Sequence, residues 1–516
     1  MGSKAREAIT PSEGARSHAE RRLVMWLFVL FAAAFLVVQN GFVTGYDGGT
    51  MYEVTKSMVD RGTFAVPEEW NALPGRDGLA YSRYGLGLSV VAALPYALSR
   101  PLGDLLGRPE DVSSGAVSSV MPLIAAALVA ALYLLARRMN AGVVPALIVA
   151  VGAVVGTFML PYSKDFFSEP LATLLLVIAI ERMLAGRTAT AGLAMGAAVL
   201  TRPQTLLFAP VLVLVAWHQH GRSGLVRTVT GLAPGLILTF AYNILRFQDP
   251  FLFGYQDSGF TTPFIDGARG LLFEPTKSVF LFAPIVVLLP FALRRLWRRD
   301  RPAFVLIGGN LAITFVMIAT WFAWHGGWCW GPRLLLPGII PAIAAIGPWL
   351  STATRRGAAT TLFAFGLLVS FPALIVSTQA QQFEVRSPPP WTHFLPTQPL
   401  ASPSVERQFA LIMPNARYTI DHLYEDEGDG KNNLRSISVW QFGVIRTLGR
   451  VGLVVSLAGT ALLLVIARWS YRRLRPLVQG VIEDDRWEPG PSGPATAHHT
   501  DSNRSTEGPE DPAPQP

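Results

Sequence analysis

The chain has 516 residues, 51% hydrophobic and only 15% charged, against about 25% charged in an ordinary soluble domain. That is too little charge to cover the surfaces of two to four soluble domains, which excludes an ordinary cytosolic enzyme and a disordered chain. The single cysteine, Cys329, excludes a disulfide framework and a cysteine-based zinc site, and the net charge of +8 is carried between long apolar runs, which fits a polytopic membrane protein and not a nucleic-acid binder.

Residues 1–22 are polar and end in Arg21-Arg22, and an apolar run follows over 23–38, continuing weakly to Val43. No small-residue cleavage pattern follows it, so it reads as a first transmembrane helix with a cytoplasmic N-terminus and not as a signal peptide. Further apolar segments run over 85–99, 116–136, 143–160, 171–185, 190–200, 205–217, 229–245, 279–293, 303–323, 334–350, 358–378 and 451–467. Several are shorter than the roughly 20 residues of a full crossing. Broken or tilted helices are therefore expected.

Basic residues set the orientation. Arg137-Arg138, Arg182 with Arg187, Arg222 with Arg227, Arg355-Arg356, the cluster from Arg294 to Arg301, and Arg468 to Arg475 should all face the cytoplasm. They alternate correctly if 85–99 is a juxtamembrane or re-entrant helix on the outer side and if 190–200 and 205–217 each cross. The expected fold is an all-α bundle of about twelve spans, with both termini inside and juxtamembrane helices in the first outer loop. The expected organisation is a cytoplasmic N-terminus (1–22), a transmembrane module (23–378), a Pro-rich then acidic extracytoplasmic segment (379–446), a last helix with a basic flank (447–475) and a disordered cytoplasmic tail (476–516). No internal repeat is visible.

The outer loops carry the chemistry. The first opens Gly45-Tyr46-Asp47-Gly48-Gly49-Thr50-Met51-Tyr52-Glu53. A carboxylate there can take a proton from a substrate hydroxyl or hold a cation, and it can equally be a solvated loop acid or a helix N-cap. An amphipathic helix continues to Gly62, and Tyr81-Ser82-Arg83-Tyr84-Gly85-Leu86-Gly87 leads into the outer helix, with Arg83 placed for an anionic headgroup or for plain interfacial anchoring. In the second outer turn, Tyr162 to Pro170, Asp165 and Glu169 are four apart and share a face if the helix starts early, and capping is the competing explanation. Arg202, in the tight Thr201-Arg202-Pro203-Gln204 turn, suits a phosphate. In Trp324-His325-Gly326-Gly327-Trp328-Cys329-Trp330-Gly331-Pro332-Arg333 the aromatics fit a membrane belt. The Gly-Gly and Gly-Pro-Arg elements do not, and aromatic rings beside an arginine suit sugars and a phosphate.

Taken in order, these segments resemble the GT-C superfamily of polyprenyl-phosphate-sugar-dependent glycosyltransferases, nearest the branch of protein O-mannosyltransferases and lipid A aminoarabinose transferases. The resemblance spans roughly 23–350 and rests on Asp47 after the first membrane helix, Met58 to Gly62, Tyr81 to Gly87, Asp165 to Pro170, Thr201 to Pro203, and Gly326 to Arg333. It implies a membrane glycosyltransferase of GT-C type, inverting, working at the outer face of a bacterial cytoplasmic membrane. It also implies Asp47 as base toward an acceptor hydroxyl, Asp165 or Glu169 assisting the acceptor or a metal, and Arg83, Arg202 and Arg333 holding the lipid-linked phosphate. Glu53, Tyr84 and His325 complete the expected substrate-binding set. Family members often carry a second acid beside the first, whereas Gly48-Gly49 follows Asp47 here, and Glu53 stands one turn on. The implied partners are a polyprenyl-phosphate-linked sugar, a glycan, lipid or protein acceptor, and membrane lipids, with no nucleic acid. No cofactor is implied with certainty, and the sequence shows no ligand cluster for a divalent metal. A lipid or solute transporter, or an envelope scaffold, is the alternative. Charges gathered in outer loops and the lack of a repeat favour an enzyme over both.

Overall fold

The computed structural model describes residues 13–43, 45–68, 72–255, 259–275, 277–327, 329–375 and 439–486. Nearly all of the expected extracytoplasmic segment 379–446 lies outside the described residues. The architecture is all-α and polytopic. One two-stranded hairpin, β1 (Ala72–Pro74) with β2 (Ala80–Ser82), interrupts the helices of the first loop. By length and composition, four helical stretches among the described residues can cross a bilayer: Pro109–Arg138, Pro203–Phe247, Arg301–Thr320 and Gly449–Glu483. The last of them leaves much apolar surface exposed, as at Val454, Leu457 and Val465.

In chain order, α1 (Glu13–Val37) leads to the first-loop helices α2 (Tyr46–Lys56), α3 (Gly87–Leu105) and α4 (Pro109–Ser118). A central group follows, α5 (Val120–Arg138), α6 (Val143–Val155), α7 (Ser168–Leu184) and α8 (Thr188–Thr201). Next come α9 (Ala209–Phe247), α10 (Phe264–Phe273), α11 (Val279–Phe282), α12 (Leu289–Arg299), α13 (Arg301–Thr320), α14 (Leu336–Ala344), α15 (Ala353–Ser370) and α16 (Pro372–Ile375), and finally α17 (Trp440–Arg486). The buried core lies where α5, α6, α7 and α14 meet, around Leu128, Tyr133, Val149, Ile180 and Ile340. α17 lies along α1, with Trp26 and Trp469 edge to face at 4.5 Å.

Several expected elements differ. The run 279–293 is not one helix. Pro284 and Pro290 have no N–H to donate, and the chain passes through α11 and a 3₁₀ turn into α12. The run 358–378 breaks at Pro372 for the same reason. α9 is two arms meeting at Gly221, whose φ of 61° is a left-handed conformation that suits glycine. α17 continues to Arg486, so residues 476–486, expected to be disordered, are helical.

The two ends of the bundle differ in charge. One end holds Arg137 and Arg138, paired with Glu20 and Glu181, together with Arg182 and the amphipathic α12 with Arg294, Arg295, Arg298 and Arg299. α13 runs from Arg301 beside α12 to Thr320 near the loop that carries Arg333. Twenty helical residues span about 30 Å, so the arginine-rich end and the Arg333 end are separated by roughly a bilayer thickness.

Close helix contacts place the site. α8 and α9 meet through Gly192, Gly196, Gly231 and Gly235, where a Cβ at any one would fall within 3 Å of the other helix's backbone. This small-residue seam lets two apolar helices approach where hydrophobic burial gives little drive. It fixes the end of α8, where Arg202 follows. Gly85 and Gly87 press the lead-in to α3 against Thr201, and a Cβ on Gly48 would stand 2.8 Å from the Phe166 carbonyl. Gly48 therefore draws α2 onto the turn before α7.

Candidate active site

Asp47 lies in the first turn of α2, after Gly45 in a left-handed conformation (φ 77°). Its side chain does not cap the helix. Oδ1 accepts from the Tyr84 hydroxyl at 2.7 Å, and Oδ2 from Arg333 Nη2 at 2.6 Å. Arg333 Nε also stands 3.6 Å from Glu169 Oε1. Glu169, in the first turn of α7, forms an ion pair with Arg202 Nη1 at 2.7 Å, and the same nitrogen donates to Ser168 Oγ at 3.1 Å. Five side chains from five separate stretches of chain thus form one chain of contacts: Tyr84, Asp47, Arg333, Glu169 and Arg202.

The electrostatics follow from burial and pairing. Burial pushes the Asp47 carboxyl up, but the Arg333 charge and the hydrogen bonds from Tyr84 and Arg333 outweigh it, so its pKa lies below the ordinary value of 3.8. Burial, then the Asp47 charge, pushes the Tyr84 phenol well above its ordinary value, so it stays a donor. Glu169 is 2% exposed and meets two guanidinium groups, which a buried carboxylate requires.

Arg333 is held by more than its acids. Its guanidinium lies 4.4 Å from the Phe167 ring centroid. Among the described residues its Nε and Nη1 are buried without a hydrogen-bond partner, as is Arg83 Nε. These nitrogens retain donor capacity for a further acceptor. Arg202, by contrast, is fully engaged. With the Gln204 amide oriented to accept, its oxygen lies 2.6 Å from Arg202 Nη2 and 2.8 Å from Nε. Beside Arg202 a small pocket lies between α7, α13 and α14, lined by Arg202, Gln204, Leu176, Phe208, Asn310 and Ile313.

The other expected residues fall elsewhere. α7 starts at Ser168, too late for Asp165 and Glu169 to share a helical face. Asp165 is buried and accepts from Asn40 Nδ2 at 2.7 Å. Glu53 pairs with Lys56 at 2.8 Å, in a group completed by Glu110, and does not stand in for a second acid beside Asp47. Arg83 lies with its guanidinium 5.9 Å over the Tyr255 ring. His325 accepts from Gly327 N at 3.0 Å through Nδ1. Burial, with Lys277 and Arg333 nearby, pushes its pKa down to about 4, so it is neutral at pH 7 and is not a cationic phosphate ligand. Among the described residues no three His, Cys, Asp and Glu side chains gather, and Asp47 and Glu169 are each engaged by arginine. The donor set does not fit a metal ion.

The sequence reading missed Tyr255, Gln204 as a partner of Arg202, and two buried cations, Arg246 and Lys277. Arg246 closes an otherwise apolar helix, where an unmatched charge was the available signal, whereas Lys277 lies in the polar Glu274-Pro275-Thr276-Lys277-Ser278 loop and gave none.

No family model matches this chain, and no curated protein matches it. Among solved structures it is similar to ArnT from Cupriavidus metallidurans bound to undecaprenyl phosphate, at 16% identity over 91% of this chain and 76% of that one, with a TM-score of 0.42. The apo form of the same protein gives 15% identity over 92% and 76%, with a TM-score of 0.43. The archaeal oligosaccharyltransferase AglB from Archaeoglobus fulgidus, in complex with an inhibitory peptide and a dolichol-phosphate, gives 13% identity over 92% of this chain and 50% of its own, with a TM-score of 0.28.

Proposed function

We propose that the protein is a membrane glycosyltransferase of GT-C type that moves a hexosyl or pentosyl group from a polyprenyl-phosphate donor to an acceptor hydroxyl. The observation that carries this reading is the contact chain from Asp47 to Arg202, beside buried Arg333 and Arg83 nitrogens that have no hydrogen-bond partner among the described residues. The acceptor is a hydroxyl of a glycan, lipid or protein. The site lies at the bundle end opposite the arginine-rich end. By the positive-inside tendency it then faces the exterior of a bacterial cytoplasmic membrane.

In this reading the phosphate of the lipid-linked donor is held by Arg202 and Arg333, with Arg83 as a further cation. The acceptor oxygen attacks the anomeric carbon from the face opposite the phosphate, giving inversion. As that bond forms, the bond from the anomeric carbon to the phosphate oxygen breaks, and Asp47 takes the acceptor proton. The leaving polyprenyl phosphate gains a negative charge beside fixed guanidinium groups, which stabilise it without reorganisation at the moment of reaction. Tyr84 orients Asp47, and Glu169 aligns both arginines. Asp165 acts only as a buried support of the turn before α7.

The test is transfer from a radiolabelled polyprenyl-phosphate sugar by the purified full-length chain. Asp47→Asn is expected to lower kcat by about 100-fold or more, and Arg202→Gln to raise the KM for donor. Full activity in Asp47→Asn removes the base assignment. Absence of transfer by the unmodified chain with every donor and acceptor class offered removes the reading.

A further inference from the structure

Asp47 has two oxygens, and each is served by a donor from a different loop: Tyr84 from the lead-in to α3 and Arg333 from the loop before α14. Each of those loops is gripped by a buried cation. Arg246, at the end of α9, is 2% exposed and sends Nη1 to the carbonyls of Ser82 and of Tyr84, the latter at 3.2 Å. Its Nη2 donates to Asn243 Oδ1 at 2.6 Å, and its guanidinium stacks 3.8 Å from the Tyr242 centroid and 4.7 Å from that of Phe247. Lys277 is fully buried, and its Nζ donates to the carbonyls of Cys329 at 2.8 Å, Gly327 at 3.1 Å and Gly331 at 3.5 Å, with Cys329 Sγ at 3.3 Å. Neither cation has a carboxylate within ion-pair distance among the described residues.

A buried charge without a counter-ion is costly, and packing alone is served better by an apolar side chain of similar volume. What these two charges have in common is their target. Backbone carbonyls on both loops converge on them, immediately before the side chains that hold Asp47. Tyr162 strengthens the second loop by donating its hydroxyl to the Trp330 carbonyl at 2.8 Å.

We infer that Arg246 and Lys277 are positioning residues for Asp47, one fixing the Tyr84 loop and the other the Arg333 loop, so that the carboxylate is held oriented and ionised from both sides. This rests on the proposed role of Asp47 toward the acceptor. Tyr84, Arg333, Arg202 and Tyr255 are the titratable or charged groups facing Asp47, and neither positioning residue touches it.

The experiment reads Asp47 directly and needs no substrate. Infrared pH titration of the purified full chain gives the Asp47 carboxyl band as the difference between each background with and without Asp47→Asn. In Arg246→Gln the midpoint should rise toward that of Tyr84→Phe, and in Lys277→Met toward that of Arg333→Gln. Arg246→Gln added to Tyr84→Phe, and Lys277→Met added to Arg333→Gln, should move it no further, because each acts through the residue already removed. In transfer assays both single variants should lose about 10- to 100-fold in kcat with donor KM within about threefold.

If either variant fails to fold, Arg246→Lys and Lys277→Arg, which keep a cation but change the donor geometry, should show a smaller rise in the same direction. A merely structural role would lower thermal stability and leave the Asp47 midpoint unchanged. That result, or additive shifts in the double variants, overturns the inference. If the unmodified chain transfers no sugar while the midpoints move as expected, the functional reading fails and the positioning relation stands.

Discussion

The Asp47–Arg333 contact gives the sharpest test of the site, because its energy can be bracketed from the geometry. The pair is 2.6 Å long, with side chains 23% and 11% exposed, so it is mostly withdrawn from water. A hydrogen bond to a charged group contributes about 1.5–3 kcal/mol net. Breaking a buried pair from one side costs about 3–5 kcal/mol, because the remaining charge is stranded. Arg333→Gln leaves Asp47 with only Tyr84 and leaves Glu169 with only Arg202. Partial exposure of Asp47 places the expected loss near the low end, about 3 kcal/mol. Asp47→Asn keeps an oxygen for Tyr84, and Arg333 keeps Glu169, so that loss should be about 1–2 kcal/mol.

In the double variant Asp47 is no longer stranded but Glu169 still keeps only Arg202, so the loss should stay near 3 kcal/mol, which leaves a coupling of about 1.5 kcal/mol. The assay is thermal unfolding of the four proteins in detergent at pH 7, where the double variant should melt within a degree or two of Arg333→Gln alone. If the two shifts simply add, to within about 0.5 kcal/mol, the side chains are not partners and the contact chain at the centre of the site is wrong.

Three further outcomes follow from the same structure. Asp47 has a depressed pKa in the fold, so its contribution to stability is present above the unfolded value, about 3.9, and is lost as pH falls through the lower folded value. Asp47→Asn should therefore melt closer to the unmodified protein at pH 3 than at pH 7. His325 is held neutral, with a folded pKa of about 4 against an unfolded value of about 6.5, so the unfolded chain takes up a proton first and stability falls between those values. His325→Gln should flatten the melting temperature over that interval and change little above pH 7. Gly235→Ala places a methyl group against the Gly196 backbone and should cost about 1–3 kcal/mol, with a rise in donor KM as α8 and Arg202 shift; unchanged melting and KM would show that the seam does not set the site.

The sequence reading located most of the partners but not their contacts. Asp47, Glu169, Arg202 and Arg333 were legible because charges beside apolar helices stand out, and glycine and proline marked the loops that carry them. Their convergence was not legible, since it depends on how α2, α7, α8 and α14 cross. Asp165 and Glu169 do not share a helical face, because spacing by four holds only inside a helix, and Pro161 to Ser163 form a 3₁₀ turn that delays α7 until Ser168. The Gly192-x-x-x-Gly196 and Gly231-x-x-x-Gly235 pairs were readable as a helix seam and passed over. The apparent loss of a second acid at Gly48 has a packing reason, because only glycine lets α2 lie on Phe166. Arg246 and Lys277 lie in stretches read only for apolarity or loop length, so their carbonyl targets could not be anticipated.

The charge balance of the site explains why an acid and an arginine that neutralise each other can also serve one reaction. Asp47 and Glu169 against Arg202 and Arg333 sum to zero. On the proposed reading a lipid-linked phosphodiester adds one negative charge, and transfer turns it into a phosphate monoester that can carry two, while Asp47 becomes neutral by taking the acceptor proton. The total is unchanged; one charge moves from Asp47 to the phosphate. A carboxylate held ionised by Arg333 is a weak base, and an isolated proton transfer to it would be uphill. Once the phosphate draws the same guanidinium, that penalty falls as the leaving group gains charge. Proton uptake and bond breaking are thus linked through Arg333, which is why Arg333→Gln should impair the chemical step as well as donor binding. Arg202→Gln, one carboxylate removed from Asp47, should act mainly on donor binding.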